Sequence, residues 1–203
     1  HALASGPVLI GLDAEFGHKT STSARAVQQG IEIAIEEINQ AGGVLGGRPL
    51  ELVLTDNRSI TAIAVDNVRE LARKPDLVAV FGGKFSPSYI ESLPVVHELG
   101  LPLMDPWGSA DGITDHAYKP SYTFRVSLKD EWGVEAMMRR MARTYKATQA
   151  CAFLPNTAWG RSAERVIQVH HAALQVVPGK QLGLLGGVGL HRAVIVQVIA
   201  GQV

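Results

Sequence analysis

The sequence predicts an α/β fold built on a parallel sheet, and three observations carry that prediction. Short apolar runs alternate with amphipathic helical stretches from residue 8 onward. Glycines or a Ser-Pro pair punctuate the joints between them. One run, Leu77-Val78-Ala79-Val80-Phe81, is apolar throughout, as expected of a central parallel strand covered on both faces. Right-handed crossovers then place helices on both sides of the sheet.

The elements follow in order. Residues 8–12 form a short apolar run and read as a buried strand. After a Gly/Ser/Thr-rich loop, Val27, Ile31, Ala34, Ile35 and Ile38 recur at helical spacing, which predicts a helix over 24–40. Ala41-Gly42-Gly43 stops it, since glycine tolerates the left-handed turn past a helix end. Leu50, Leu52 and Leu54 share one face of a strand over 50–54, and 61–73 reads as the second helix. After the 77–81 strand, Ser86-Pro87 reads as a helix start, with Ser86 as N-cap and Pro87 at the first helical position. Pro94 should bend that helix or shift its start. Residues 101–104 and 122–126 complete a β-α-β-α-β-α-β series. A new unit starts near Asp130, with a helix to about Tyr145, a strand over 150–154 and a helix over 160–174. The tail is unusual. Only Glu164, Arg165, Lys180 and Arg192 are charged between 163 and 203, and four glycines fall between 183 and 189.

Composition narrows the function. The 203 residues carry 19 Lys+Arg against 19 Asp+Glu, with 46% apolar side chains. A globular chain without basic excess argues against a nucleic-acid partner. No apolar run is long enough for a transmembrane helix. The single Cys151 forms no internal disulfide and reads as a buried, inert thiol. Gly42 to Gly47 lacks the Lys-Ser/Thr of a phosphate-binding loop, no G-x-G-x-x-G follows the first strand, and no G-x-S-x-G elbow occurs. No cofactor or metal is expected. His170-His171 reads as a solvated helix face. Asp13 and Glu15 offer a possible acid–base pair, but the preferred reading is strand-end surface carboxylates.

Open parallel sheets bind ligands outside the carboxyl ends of their strands. The loops 11–23, 82–86 and 105–109 all lie at such ends. At the start of the chain, Ala2-Leu3-Ala4 matches the small-x-small pattern read by signal peptidase. Residues 1–6 therefore read as the remnant of a signal-peptide junction cleaved near Ala4, with a chance alanine-rich start or a tag remnant as the alternatives.

The run Gly30…Ile33-Ala34…Ile38-Asn39…Ala41-Gly42-Gly43-Val44…Gly47-Arg48-Pro49-Leu50-Glu51-Leu52-Val53 resembles the opening of the leucine/isoleucine/valine-binding protein family. Thr55-Asp56, Val80-Phe81-Gly82-Gly83…Ser86, Gly100-Leu101-Pro102-Leu103, Phe124-Arg125…Asp130 and Phe153-Leu154…Trp159-Gly160-Arg161-Ser162 extend the resemblance over residues 7–170. These are type I periplasmic substrate-binding proteins of ABC transporters. The resemblance implies two lobes, each a Rossmann-like parallel sheet with helices on both faces, joined by hinge strands and closing over a small ligand. The N-terminal ligand-binding lobe is expected over 7–126 and a partial second lobe over 127–203. The tail from about 175 departs from the family pattern, as a frame-shifted or truncated sequence would.

The same resemblance implies a non-enzymatic, periplasmic, monomeric protein that binds a small carboxylate and delivers it to a membrane permease. Branched-chain or other apolar amino acids and aromatic carboxylates are the expected solutes. A ligand-sensing domain of a receptor or regulator is the alternative, and an α/β enzyme a more distant one. Ser86 would offer its hydroxyl and a helix N-terminus to the carboxylate, although a plain N-cap explains it too. Ser109 matches a family Ser/Thr that binds the carboxylate. Trp107 occupies the position whose carbonyl accepts from an α-amino group, and its indole either stacks on the ligand or plugs the core. Trp159 aligns with an aromatic lid, with packing as the other reading. Lys84 and Phe85 flank the cleft loop. Ser23 stands where many members carry an aromatic. Asp105 and Asp111 flank the fourth strand's loop as possible surface turn residues.

Overall fold

The computed structural model describes residues 6–17, 21–146, 149–173, 176–178 and 191–198. The Ala2-Leu3-Ala4 junction, the glycine run at 183–189 and the side chains of Cys151, His170 and His171 lie outside the described residues. The chain divides into two units, His1–Gly108 with Ile113–Ser127, and Ser109–Gly112 with Leu128–Val203.

The first unit is a five-stranded parallel sheet in the order β2-β1-β3-β4-β5. Its strands are β1 (Val8–Ala14), β2 (Leu50–Asp56), β3 (Leu77–Gly82), β4 (Leu103–Asp105) and β5 (Thr123–Arg125). Between them run α1 (Thr22–Gln40), α2 (Thr61–Ala72) and α3 (Ser86–Leu99). Side chains alternate across a strand, and β1 uses both faces. Leu12 and Ala14 pack with Ala24, Val27 and Ile31 of α1. A Cβ on Gly11 would instead meet Leu71 of α2 at 3.0 Å, so α2 lies close against that face. The continuous apolar run of β3 does take the central position. It is covered only in part, because Val78 is 44% exposed.

The α1–β2 turn explains why its motif is spelled as it is. The N–H of Gly43 donates to Ile38 O at 2.9 Å and that of Gly42 to Asn39 O at 3.1 Å, a Schellman closure. Gly42 and Gly43 take φ of 106° and 74°, and a Cβ on Gly43 would lie 2.3 Å from Arg48 O. The Asn39 side chain donates to Leu50 O and accepts from Leu50 N, fixing the start of β2. Arg48 donates to Gly6 O and Pro7 O and pairs with Asp76 at 2.9 Å.

The second unit contains α4 (Asp130–Thr144), β6 (Gln149–Pro155), α5 (Ala158–Ala173), β7 (Val176–Pro178) and β8 (His191–Val198). Val134 and Met138 of α4 pack with Leu154, Ala163, Val166 and Ile167. Its sheet has the order β6-β8-β7, and β8 is antiparallel to both neighbours. The parallel expectation therefore needs correction in this unit. β6 and β7 do run the same way on either side of α5, as a βαβ unit requires. They are not adjacent, because β8 enters between them in the opposite sense.

Two glycines should separate conformational cost from steric cost. Gly30 sits inside α1, and a Cβ added there would have no neighbour within 4 Å. Gly30→Ala should stabilise the fold by about 0.5–1 kcal/mol through helix propensity. Gly43→Ala should destabilise it by roughly 1–3 kcal/mol, through its backbone conformation and the clash with Arg48. Urea denaturation of both variants measures the contrast.

Candidate functional site

Two carboxylates at the end of β1 organise the carboxyl edge of the first sheet. Asp13 is buried and accepts from Thr55 Oγ1 at 2.9 Å, Asn57 Nδ2 at 2.8 Å and Asn67 Nδ2 at 2.7 Å. Burial pushes its pKa up to about 6, against the pull of those donors and with a smaller push from Asp56. Glu15 is 0% exposed, and its Oε1 accepts from Ser21 at 2.9 Å and Ser23 at 3.1 Å. The surface-carboxylate reading of both residues is thus corrected. The donors to Asp13 come from sequence positions too far away for a local pattern to show. Ser23 is likewise turned onto Glu15, which is what stands in place of the family's aromatic.

The β3–α3 loop is shaped by these same groups. A Cβ on Gly83 would lie 2.2 Å from Glu15 Oε2, and one on Gly82 would lie 2.4 Å from the Tyr89 ring. The Tyr89 hydroxyl donates to Gly83 O at 2.6 Å. Its pKa is raised, first by burial and then by the nearby charge of Asp105. Sequence reasoning does not find this role for Tyr89 or Glu15. The adjacent Gly82-Gly83 pair is the available signal that something bulky approaches.

Ser86 is the first residue of α3, and Phe85 is the N-cap in extended conformation. This corrects the N-cap assignment by one position. Ser86 is 3% exposed, Phe85 half-buried and Lys84 exposed. The helix has no side-chain cap and no acidic residue in its first turn, and it runs through Pro94 to a left-handed Gly100. In the next loop Asp105 is buried, not a surface turn residue. Its Oδ1 accepts from the N–H of Trp107 at 3.1 Å and of Gly108 at 2.6 Å, and its Oδ2 from Ser127 at 3.2 Å. Burial raises its pKa, and these bonds with the Arg125 charge counter it. Trp107 is 52% exposed and so plugs no core.

The second unit gathers the remaining candidates. The N–H of Asp130 donates to Ser109 O at 2.8 Å, and Trp159 Nε1 donates to Asp130 Oδ1 at 3.1 Å. Burial raises the Asp130 pKa; hydrogen bonds from Ser109, Ser162 and Trp159 oppose that, and the Asp111 charge adds to it. Asp111 is buried too, accepting from the Glu131 N–H, Ser162 and Arg165. A Cβ on Gly160 would lie 1.8 Å from Pro155 O, so the Trp159-Gly160 pair needs its glycine. Trp159 is 41% exposed. With Asp130 it borders a cavity of about 410 Å³ whose walls include Met137, Met138, Met141 and Ile167. Ser86, Lys84, Phe85 and Trp107 therefore belong to the first unit, and Ser109 and Trp159 to the second.

In open parallel α/β sheets, ligands bind among the loops at the carboxyl edge. A family profile described as periplasmic binding protein matches residues 7–178, and the chain belongs to that family. It is 25% identical over 171 residues to the Leu/Ile/Val-binding protein homolog 7 of Brucella melitensis, covering 81% of this chain and 42% of that protein. It thus spans about two-fifths of the length of that relative. The substrate-binding protein LivJ of a branched-chain amino acid transporter from Streptococcus pneumoniae, solved with isoleucine, is 27% identical with a TM-score of 0.62, over 70% of this chain and 40% of that one. The leucine-binding protein LivK from Thermotoga maritima has a TM-score of 0.70 at 21% identity, over 82% and 46% of the two chains. An ABC-transporter solute-binding protein from R. palustris, solved with 4-hydroxybenzoate, has a TM-score of 0.66 at 17% identity, over 82% and 44%. The last two share the fold. The family consists of solute-binding proteins rather than enzymes, and it is extracytoplasmic. Among the described residues no helix is long and apolar enough to cross a membrane.

The buried Asp13 gives a pH test of the site. Its folded pKa of about 6 lies above the ordinary carboxylate value of 3.8, so the folded state holds the proton more tightly across that window. Asp13 therefore costs stability above pH 6, and that cost disappears as the pH falls through 6 towards 4. The difference in unfolding free energy between wild type and Asp13→Asn should change by roughly 2 kcal/mol between pH 7 and pH 4, in favour of wild type at the lower pH. Urea titrations at the two pH values measure it.

Proposed function

We propose that this chain is the solute-binding component of an ABC importer and takes a small solute bearing a carboxylate. The observation that carries the reading is the family match along residues 7–178. The N-terminus of α3 supports the choice of solute. A helix N-terminus presents unpaired N–H groups and partial positive charge. Here the N-cap makes no side-chain bond, the first turn holds no acidic residue, and Lys84 stands exposed beside it. Ser86 at its first position, with Phe85 before it, is the proposed partner of the carboxylate in the first unit, and Ser109 is the candidate of the second. Trp107 in the first unit and Trp159 in the second each keep an exposed indole of the kind that stacks on apolar or aromatic groups. Branched-chain or other apolar amino acids are the first candidates, and aromatic carboxylates the second. A membrane permease is the proposed protein partner, with the binding protein acting as an exported, periplasmic monomer.

Thermal unfolding with leucine, isoleucine and 4-hydroxybenzoate tests the reading. A true ligand at 100 times its dissociation constant should stabilise by about 2.7 kcal/mol. Ser86→Ala should then weaken calorimetric affinity by roughly 1–3 kcal/mol, because a charged group loses a partner. Stabilisation by sugars or polyamines alone would refute the carboxylate assignment.

A further inference from the structure

Beneath the loop that follows β3, the first unit contains a void of about 10 Å³. Glu15, Gly83, Ser88 and Tyr89 are among its walls, with Val80 and Leu103 in the apolar remainder. Among the described residues, two buried polar atoms on this wall have no hydrogen-bond partner: Glu15 Oε2 and Ser88 Oγ. Glu15 is 0% and Ser88 8% exposed, so bulk solvent does not satisfy them. Several neighbouring donors are directed elsewhere. Ser21 and Ser23 donate to the other Glu15 oxygen, Asn57 donates to Asp13, and the Tyr89 hydroxyl donates to Gly83 O. None of the described lining residues is Lys, Arg or His.

A bare carboxylate oxygen in a low-dielectric interior is costly and is normally hydrogen-bonded or paired. A polar void of roughly 10–15 Å³ has room for one water. Water supplies the donor that Glu15 Oε2 lacks, and it can exchange a second bond with the Ser88 hydroxyl. We propose that a single internal water occupies this void and bridges Glu15 Oε2 to Ser88 Oγ. It ties the β1–α1 loop to the first turn of α3 and makes Glu15 a positioning residue for the segment that carries Ser86. The bearing of this bridge on solute capture rests on the reading of the α3 terminus given above; the bridge itself does not.

A crystal structure of the 203-residue chain should show one peak within about 2.6–3.2 Å of both atoms. An empty void, or a direct Glu15–Ser88 bond, overturns the proposal. Stability should not depend on whether sodium, potassium or calcium is present at matched ionic strength, and ion-specific stabilisation would replace the water with a cation and overturn it. Ser88→Ala should speed amide exchange several-fold in the first turn of α3 and also at residues 15–17 and 21–23. A change confined to α3 would mean that Ser88 acts only locally and would also overturn the bridge. Glu15→Gln and Ser88→Ala should lower the melting temperature non-additively, since both act on one water. Additive losses contradict the shared bridge, and the Ser88→Ala exchange result stands even if Glu15→Gln does not fold. None of these readouts requires solute, so a failure to bind leucine leaves them intact.

Discussion

The constraint on which the first unit depends is the burial of two carboxylates at the end of β1. Neither Asp13 nor Glu15 can enter an apolar interior without donors. The donors for Asp13 come from β2, the following loop and α2. Those for Glu15 come from the turn that opens α1. Satisfying these two side chains therefore brings the loops of the sheet edge into fixed register with one another. The Ser21 hydroxyl illustrates the priority. It occupies the N-cap position of α1 but makes no cap bond, and donates to Glu15 instead. Gly82 and Gly83 follow from the same arrangement, because the adjacent loop can pass over Glu15 and Tyr89 only without a Cβ.

The second unit uses a comparable device with different residues. Asp111 accepts from the N–H of Glu131 in the first turn of α4 and from Ser162 and Arg165 on α5. One buried carboxylate thus joins the starts of two helices. Asp130 at the head of α4 takes the Trp159 indole N–H, which orients an aromatic ring that stays partly exposed. In both units a carboxylate consumed by structure positions a neighbour that remains available. An acidic residue near a strand end is therefore poor evidence of catalysis on its own.

The sheet of the first unit is legible in the sequence because its evidence is local. Apolar runs of the right length, the Ala41-Gly42-Gly43 stop and the helical spacing of Val27, Ile31 and Ile35 each sit within one element. The candidate site is less legible because its evidence is not local. Asp13 finds its partners 42 to 54 positions away, so no window of sequence distinguishes it from a surface acid. Ser86-Pro87 misleads by one residue because Ser-Pro suits both an N-cap pair and the first two helical positions. Phe85 takes the cap through its extended backbone alone. The antiparallel entry of β8 is hidden because strand direction depends on which edge a strand reaches, and an apolar run such as 194–196 does not encode that.

Charge differs between the helix starts of the two units. The first turn of α3 has no acidic residue and an exposed lysine just before it. That of α4 carries Asp130 and Glu131. Acids in a first turn offset the positive end of the helix, so α4 has little attraction left for an anion. An anion is therefore favoured at the start of α3 and not at that of α4.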